Sequence, residues 1–403
     1  GNKIYIAHYP MNEDGNFRRH IKEANVEENE IMFNRIDADI YIYGHTHREV
    51  YNFKNRKTYI NPGALGCPGK TNFAPYGILN INKKGTWLTV RPDLKIVDCT
   101  IRDGGLVNNY HFTDEFVKGV YNTCVEIGVD YFEIGKVVSK KVMSPEEYGP
   151  WNFCEEEDIR RIVGDNNTKL KIAVMADIGR TTKEDIRPKS ESIVDMVRVA
   201  CYIHQIPAAL EIIEDAHQKG YETTLNLMAI SKISGSDLDD ALSLICESSA
   251  DVIYLVDSFG TFYTEQIRNL TAKYINAAEA KGKKVGIHAH NNQQLAYANT
   301  IESMILGTSY LDATISGLGR GAGNCPMELL LGFLKNPKFS ILPLLRFIEE
   351  YIIPLRKEIH WGYEIPYMLT GQLNEHPRTA ISFIKAEDTN YVKLYNTLTD
   401  ADE

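Results

Sequence analysis

His288-Ala289-His290 sets two imidazoles two residues apart, and residues at that spacing in an extended strand project from the same side. Arg102-Asp103-Gly104 offers a guanidinium and a carboxylate side by side. Together, Asp103, His288 and His290 could supply one carboxylate and two imidazoles to a divalent ion and leave positions open for water and substrate. That donor set suits Mn²⁺ or Mg²⁺, with Zn²⁺, Co²⁺ or Fe²⁺ as alternatives. An isolated His-x-His is more often an exposed or hydrogen-bonding pair. Here both motifs fall at the ends of predicted strands, which favours chemistry.

The elements that must position these groups read as follows. From Leu94 onward, apolar runs of five to seven residues alternate with segments of helical periodicity. The predicted strands are 94–100, 131–135, 170–176, 196–200, 223–229, 252–257, 285–290 and 311–315. Predicted helices between them include 114–127, 208–219, 238–248, 265–280 and 293–306. Eight buried strands alternating with helices are the pattern of an α/β fold whose parallel sheet closes as a (β/α)₈ barrel. A doubly wound open sheet is the alternative, but no glycine-rich dinucleotide loop follows the first strand. Active sites of such barrels lie at the C-terminal ends of the strands, where both motifs fall. Residues 336–403 are expected to form a helical extension that includes 341–359. Residues 1–92 form a different, β-rich region with short runs at 3–7, 38–43, 58–61, 76–81 and 86–90. The expected domains are therefore 1–92, 93–335 and 336–403.

The 403 residues carry a net charge of −10, which argues against a general nucleic-acid binder, since phosphate neutralisation needs a Lys/Arg surplus. The seven cysteines are dispersed without a CxxC pair and read as reduced thiols rather than a disulfide framework. No run of about twenty apolar residues is present. These features lead to the expectation of a cytoplasmic protein with no membrane partner.

Three ordered motifs carry a family resemblance. Asp98-Cys99-Thr100-Ile101-Arg102-Asp103-Gly104 resembles the D-x-T-x-R-D-G signature of the pyruvate-carboxylase/aldolase and 3-hydroxy-3-methylglutaryl-CoA lyase-like metal barrels. His288–Asn291 resembles their H-x-H-N motif, and Gly317–Asn324 their glycine-rich loop. The resemblance spans about residues 94–335 and is greatest to 4-hydroxy-2-oxovalerate aldolases. It implies a metal-dependent carbon–carbon lyase acting on a 2-oxo acid with an aldehyde or acyl co-substrate, and a homodimer or higher oligomer is expected. It further implies that Asp103, His288 and His290 bind the metal, that Asn324 is a further ligand or supports one, and that Arg102 stabilises the enolate. Glu133, Arg198, Asn226 and Asp257 stand at strand ends, where they are expected to shape the substrate pocket, with hydrogen bonding inside the barrel as the alternative. The aldolases place a base histidine three residues after the metal aspartate. Leu106 occupies that position, leaving Tyr110, His111 or water as substitutes.

Residues 1–92 resemble the C-terminal half of a calcineurin-like metallophosphoesterase, through Gly44-His45-Thr46-His47 and the upstream His8-Tyr9-Pro10. The D-x-H, G-D and G-N-H motifs that complete such a two-metal site are not found in residues 1–92. His8, His45 and His47 are therefore expected to be a remnant with at most weak metal affinity. Phosphoester hydrolysis and a scaffold role for an altered barrel are the alternative functions.

Overall fold

The alternating apolar runs pair in sequence order into one closed parallel sheet. The structure, a computed structural model, describes residues 94–399 except 335 and 337, together with the backbone of six strands before residue 91. The chain divides into two compact units, Gly1–Asp93 and Leu94–Glu403, and the C-terminal helices belong to the second.

In the first unit, strands β1 (Ile4–Ala7), β2 (Ile40–Tyr43), β3 (Glu49–Lys54) and β4 (Lys57–Pro62) form a sheet in the order β1-β2-β4-β3. Strands β5 (Gly77–Asn82) and β6 (Gly85–Val90) pair as an antiparallel ribbon. Strand β3 was not expected, although Val50, Tyr51 and Phe53 suit a strand, and it lies antiparallel to β4. His8, His45 and His47 lie outside the described residues.

The second unit is the barrel, built from β7 (Lys95–Asp98), β8 (Tyr131–Lys136), β9 (Lys171–Asp177), β10 (Met196–Cys201), β11 (Glu222–Leu227), β12 (Val252–Asp257), β13 (Lys284–Ala289) and β14 (Tyr310–Ala313). Each pairs with the next, and β14 closes on β7 with Tyr310 opposite Lys95. The open-sheet alternative is thereby excluded. Helix Asp114–Ile127 has the predicted bounds, starting at Thr113, whose hydroxyl accepts the Phe116 N–H, and ending at Gly128 with φ +80°. Helix Ala296–Leu306 begins three residues later than expected, where the Asn291 carboxamide oxygen accepts the Ala296 N–H.

The helical stretch expected over 341–359 is not one regular α-helix. An α-helix Ile341–Phe347 passes into a π-turn Ile348–Ile352 and then a single turn Ile353–Leu355. Pro354 accounts for the break, since it supplies no N–H to the preceding turn and its ring crowds the carbonyl four residues back. Among the described residues, no helix is long and apolar enough to cross a membrane. Six of the cysteines are free and buried.

The barrel interior is filled rather than hollow. Its N-terminal mouth is closed by Tyr131 and Tyr310, whose hydroxyls both donate to Glu222, at 2.7 and 2.8 Å. Above them Tyr254 on β12 lies opposite Gly286 on β13, and a Cβ at Gly286 would sit 2.5 Å from the tyrosine ring. The absent side chain is thus what admits the aromatic ring. Gly286→Ala should lower stability by about 1–3 kcal/mol through overpacking. The measurement is the thermal midpoint, and an unchanged midpoint would show that Tyr254 is not confined there.

Candidate functional site

The D-x-T part of the first motif builds the entry to the site. Asp98, at the end of β7, accepts from the Thr100 N–H (3.1 Å) and hydroxyl (2.7 Å), turning the chain into helix Thr100–Asn108. Thr100 Oγ1 in turn accepts the Ile315 N–H beyond β14, tying the first and last strand ends together. Burial pushes the Asp98 carboxyl up to about 7 despite these bonds. The turn places Arg102 and Asp103 in the first helical turn, both buried at the mouth of the barrel.

Asp103 Oδ2 is a point of convergence. It lies 3.1 Å from His288 Nε2, 3.7 Å from His290 Nε2, 2.6 Å from Asn324 Nδ2 and 3.4 Å from Arg102 Nη1. The nitrogen and oxygen donor atoms of Asp103, His288 and His290 all fall within 4.8 Å of one another. Burial alone would raise the Asp103 carboxyl, but Arg102 and the two histidines hold it well below the usual range, so it is an anion.

Hydrogen bonding orients both histidines and sets the tautomer of His290. His290 Nδ1 lies 3.0 Å from the Asp257 carbonyl, which can only accept, so Nδ1 carries the proton and Nε2 presents a lone pair toward Asp103. Burial holds the imidazole neutral, down to about 3. His288 Nδ1 lies 2.8 Å from Asp312 on β14, an arrangement that orients a metal-ligating imidazole. Two acceptors, His290 Nε2 and the Asp103 carboxylate, thus face one another. Asp103 Oδ1 and Asn324 Oδ1 are buried without any hydrogen-bond partner. A divalent cation is the group that such a donor set suits.

The glycine-rich loop brings Asn324 into place. Gly323 has φ +79°, and a Cβ there would lie 2.0 Å from the Gly317 carbonyl oxygen. Gly319 lets the Asn324 carboxamide lie against the backbone, since a Cβ there would approach Nδ2 to 2.5 Å.

Beneath these groups lies a buried ionic lattice. Arg198, fully inaccessible, contacts Glu133 (2.9 Å) and Asp312 (2.5 Å), and its guanidinium lies 4.5 Å from the Tyr254 ring centroid. Glu133 also accepts from Arg102 Nε at 2.7 Å. Arg102 is left with Nη2 buried and unpartnered.

A cavity of about 540 Å³ opens above this lattice. Of the four residues expected at the substrate, Asn226 lines it, whereas Glu133, Arg198 and Asp257 do not. Glu133 and Arg198 sit one layer deeper, and the Asp257 carboxylate accepts the N–H groups of Thr261 (3.0 Å) and Phe262 (3.3 Å). Leu106 lines the cavity. His111 stands outside it, exposed, with Nε2 3.1 Å from the Glu147 carbonyl, so it does not replace the missing histidine. Tyr110 is buried with its hydroxyl unpartnered.

Several residues at the site escaped the sequence reading. Lys136 and Asp177, ion-paired at 2.6 Å, end β8 and β9 and line the cavity. These two, like Asp312, are charged residues in or directly after apolar strands, which is a readable signal. Arg320, His376 and Arg378 also line it, and the last two come from the C-terminal helical segment, where no periodicity points to the barrel mouth.

Residues 93–342 match the family model described as HMGL-like, and residues 1–84 match the calcineurin-like phosphoesterase superfamily domain. An oxaloacetate decarboxylase of Mycobacterium tuberculosis is 30% identical over 244 residues, 60% of this chain and 70% of that protein. A 4-hydroxy-2-oxovalerate aldolase of Thermus thermophilus is 29% identical over 271 residues, 66% of this chain and 77% of that protein. Among solved structures, the N-terminal domain of a candidate aldolase from Bacteroides vulgatus aligns with a TM-score of 0.64 at 31% identity, covering 72% of this chain and 96% of that one. The HMG-CoA lyase of Brucella melitensis, 16% identical with a TM-score of 0.54, shares the fold over 66% of this chain and 99% of its own.

Arg198→Met would leave the Glu133–Asp312 pair without its shared cation. Removing one member of a buried ion cluster costs about 3–5 kcal/mol, to be read from urea unfolding. A loss below about 1 kcal/mol would show that the carboxylates are neutralised some other way.

Proposed function

The chain belongs to the HMGL-like family, and from that premise we propose that its barrel is a divalent-metal-dependent lyase that makes or breaks a carbon–carbon bond beside the carbonyl of a 2-oxo acid. The observation that carries this reading is the convergence of two imidazoles, a carboxamide and a guanidinium on one buried carboxylate oxygen, with the second oxygen of Asp103 free. Asp103, His288 and His290 would hold the ion, with Asn324 Oδ1 beside them. A bound dication supplies Lewis acidity, polarising a 2-oxo acid's keto group and acidifying the adjacent carbon.

The chain's own groups do the rest. Arg102 is held on two sides, by Glu133 through Nε and by Asp103 through Nη1, so its free Nη2 is a fixed donor. We place that donor at the oxygen where enolate charge develops, and a preorganised cation there costs no reorganisation during the reaction. The His288 ring is oriented by Asp312, and His290 is kept in one tautomer by the Asp257 carbonyl, so neither ring must turn when substrate enters. The co-substrate in this reading is an aldehyde or acyl compound, admitted through the same cavity. Mn²⁺ and Mg²⁺ are the ions we assign, since the mixed carboxylate, carboxamide and imidazole set lacks thiolate.

The test is deuterium exchange at the methyl carbon of pyruvate, followed by NMR in the presence of Mn²⁺ or Mg²⁺. The full chain should exchange and Asp103→Ala should not, while Arg102→Met should slow exchange by roughly 10²–10³-fold. Absence of exchange across a panel of 2-oxo acids with either metal would contradict the proposal.

A further inference from the structure

The charge of the cavity says more about the substrate than the metal group does. Its lining carries five cationic side chains, Arg102, Lys136, Arg180, Arg320 and Arg378, against the carboxylates of Asp103 and Asp177. The chain as a whole is at −10. Three of the cations are matched inside the protein. Arg102 is bound by Glu133 and Asp103, Lys136 lies 2.6 Å from Asp177, and Arg180 lies 3.5 Å from the same carboxylate.

Arg320 and Arg378 form no ion pair among the described residues, although Arg320 feels the field of Asp103. Arg320, half-buried in the glycine-rich loop, makes one hydrogen bond, from Nη2 to the Ser258 carbonyl at 3.3 Å, and its Nε is sealed from solvent with nothing to donate to. Arg378 opens helix Arg378–Lys385 and reaches the cavity from a different part of the chain. His376 lines the same stretch of wall. Its Nδ1 accepts the Arg378 N–H, so a neutral ring keeps its proton on Nε2 and offers a third donor. Burial, and then the fields of Arg320 and Arg378, hold that ring down to about 4. These are the marks of a cationic wall built for an anion: the half-buried Arg320 guanidinium is costly unless a ligand completes it, and the exposed Arg378 adds a second cation to the same wall.

We infer that Arg320 and Arg378, with His376 beside them, form a second anion subsite, so that the substrate carries a carboxylate or phosphate at the end remote from its 2-oxo acid group. This rests on the 2-oxo acid reading for the near end, where Arg102 and the Asp103 cluster lie. Specificity follows from the pairing: a monoanion such as pyruvate engages one end, and a longer dianion engages both. The cavity volume is in the range of sites that enclose small ligands.

The test is calorimetric titration of the Mn²⁺-loaded full chain with pyruvate, 2-oxoglutarate and inorganic phosphate, repeated on R320Q and R378Q. Expected is 2-oxoglutarate binding roughly tenfold or more tighter than pyruvate, the scale of one charged hydrogen bond. That ratio should collapse to about twofold in each variant, and phosphate should bind more weakly to both. R378Q alters an exposed side chain and guards against a folding defect in R320Q. A ratio near one in the unmodified chain, with phosphate binding indifferent to both substitutions, overturns the subsite. If neither oxo acid binds but phosphate binding is still weakened by R320Q and R378Q, the oxo-acid reading falls and the anion subsite stands.

Discussion

The site depends on one guanidinium that no substrate can reach. Arg198 lies fully buried inside the barrel between Glu133 and Asp312, and each carboxylate also holds a group at the mouth above. Glu133 fixes Arg102, and Asp312 fixes His288. Three charges taken out of water cost several kcal/mol each unless they satisfy one another, so their geometry is tightly determined once the barrel closes. The contacts also explain why the Asp312 carboxyl stays ionised, down to about 2, although burial opposes it: Arg198 and His288 both stabilise the anion. A buried ionic layer is an expensive way to fill a barrel. It aims Arg102, beyond β7, and His288, on β13, at one point.

Much of this was legible in the sequence because barrel strands buried on both faces read as apolar runs, and the alternation with helices fixes their order. The spacing of His288 and His290 was legible for the same reason, since strand parity puts both on the inner face. Depth along the barrel axis was not legible. Parity tells inside from outside, but the layer a residue occupies depends on the stagger of the closed sheet. Glu133 and Arg198 each precede the last residue of their strand by three, and they sit beneath the cavity rather than on its wall. Asp257 is at a strand end, yet the loop after it, not the cavity, takes up its carboxylate.

The parts that were not legible come from non-local packing. His376 and Arg378 lie more than eighty residues beyond His288 and belong to a helical segment whose pattern says only that it is helical. Within that segment Pro354 and the π-turn before it divide the helix, a local effect of the missing N–H. The glycine-rich loop was found as a motif, but its work is specific: backbone at Gly319 and Gly323 closes to distances that a Cβ would forbid, and this presents Asn324 to Asp103. Leu106 remains the point where the chain parts from the aldolases it resembles, with an apolar group on the cavity wall and the Lys136–Asp177 ion pair lining that same cavity.

On the proposed function, the ionic layer holds Asp103, His288 and His290 ready for one dication. The most direct measurement is the stoichiometry of Mn²⁺ bound to the full chain, counted by electron paramagnetic resonance, against that of His290→Ala. The substituted variant should lose one tightly held equivalent while keeping its fold by circular dichroism. Equal binding by both proteins, or no tight Mn²⁺ on the unsubstituted chain, would contradict it.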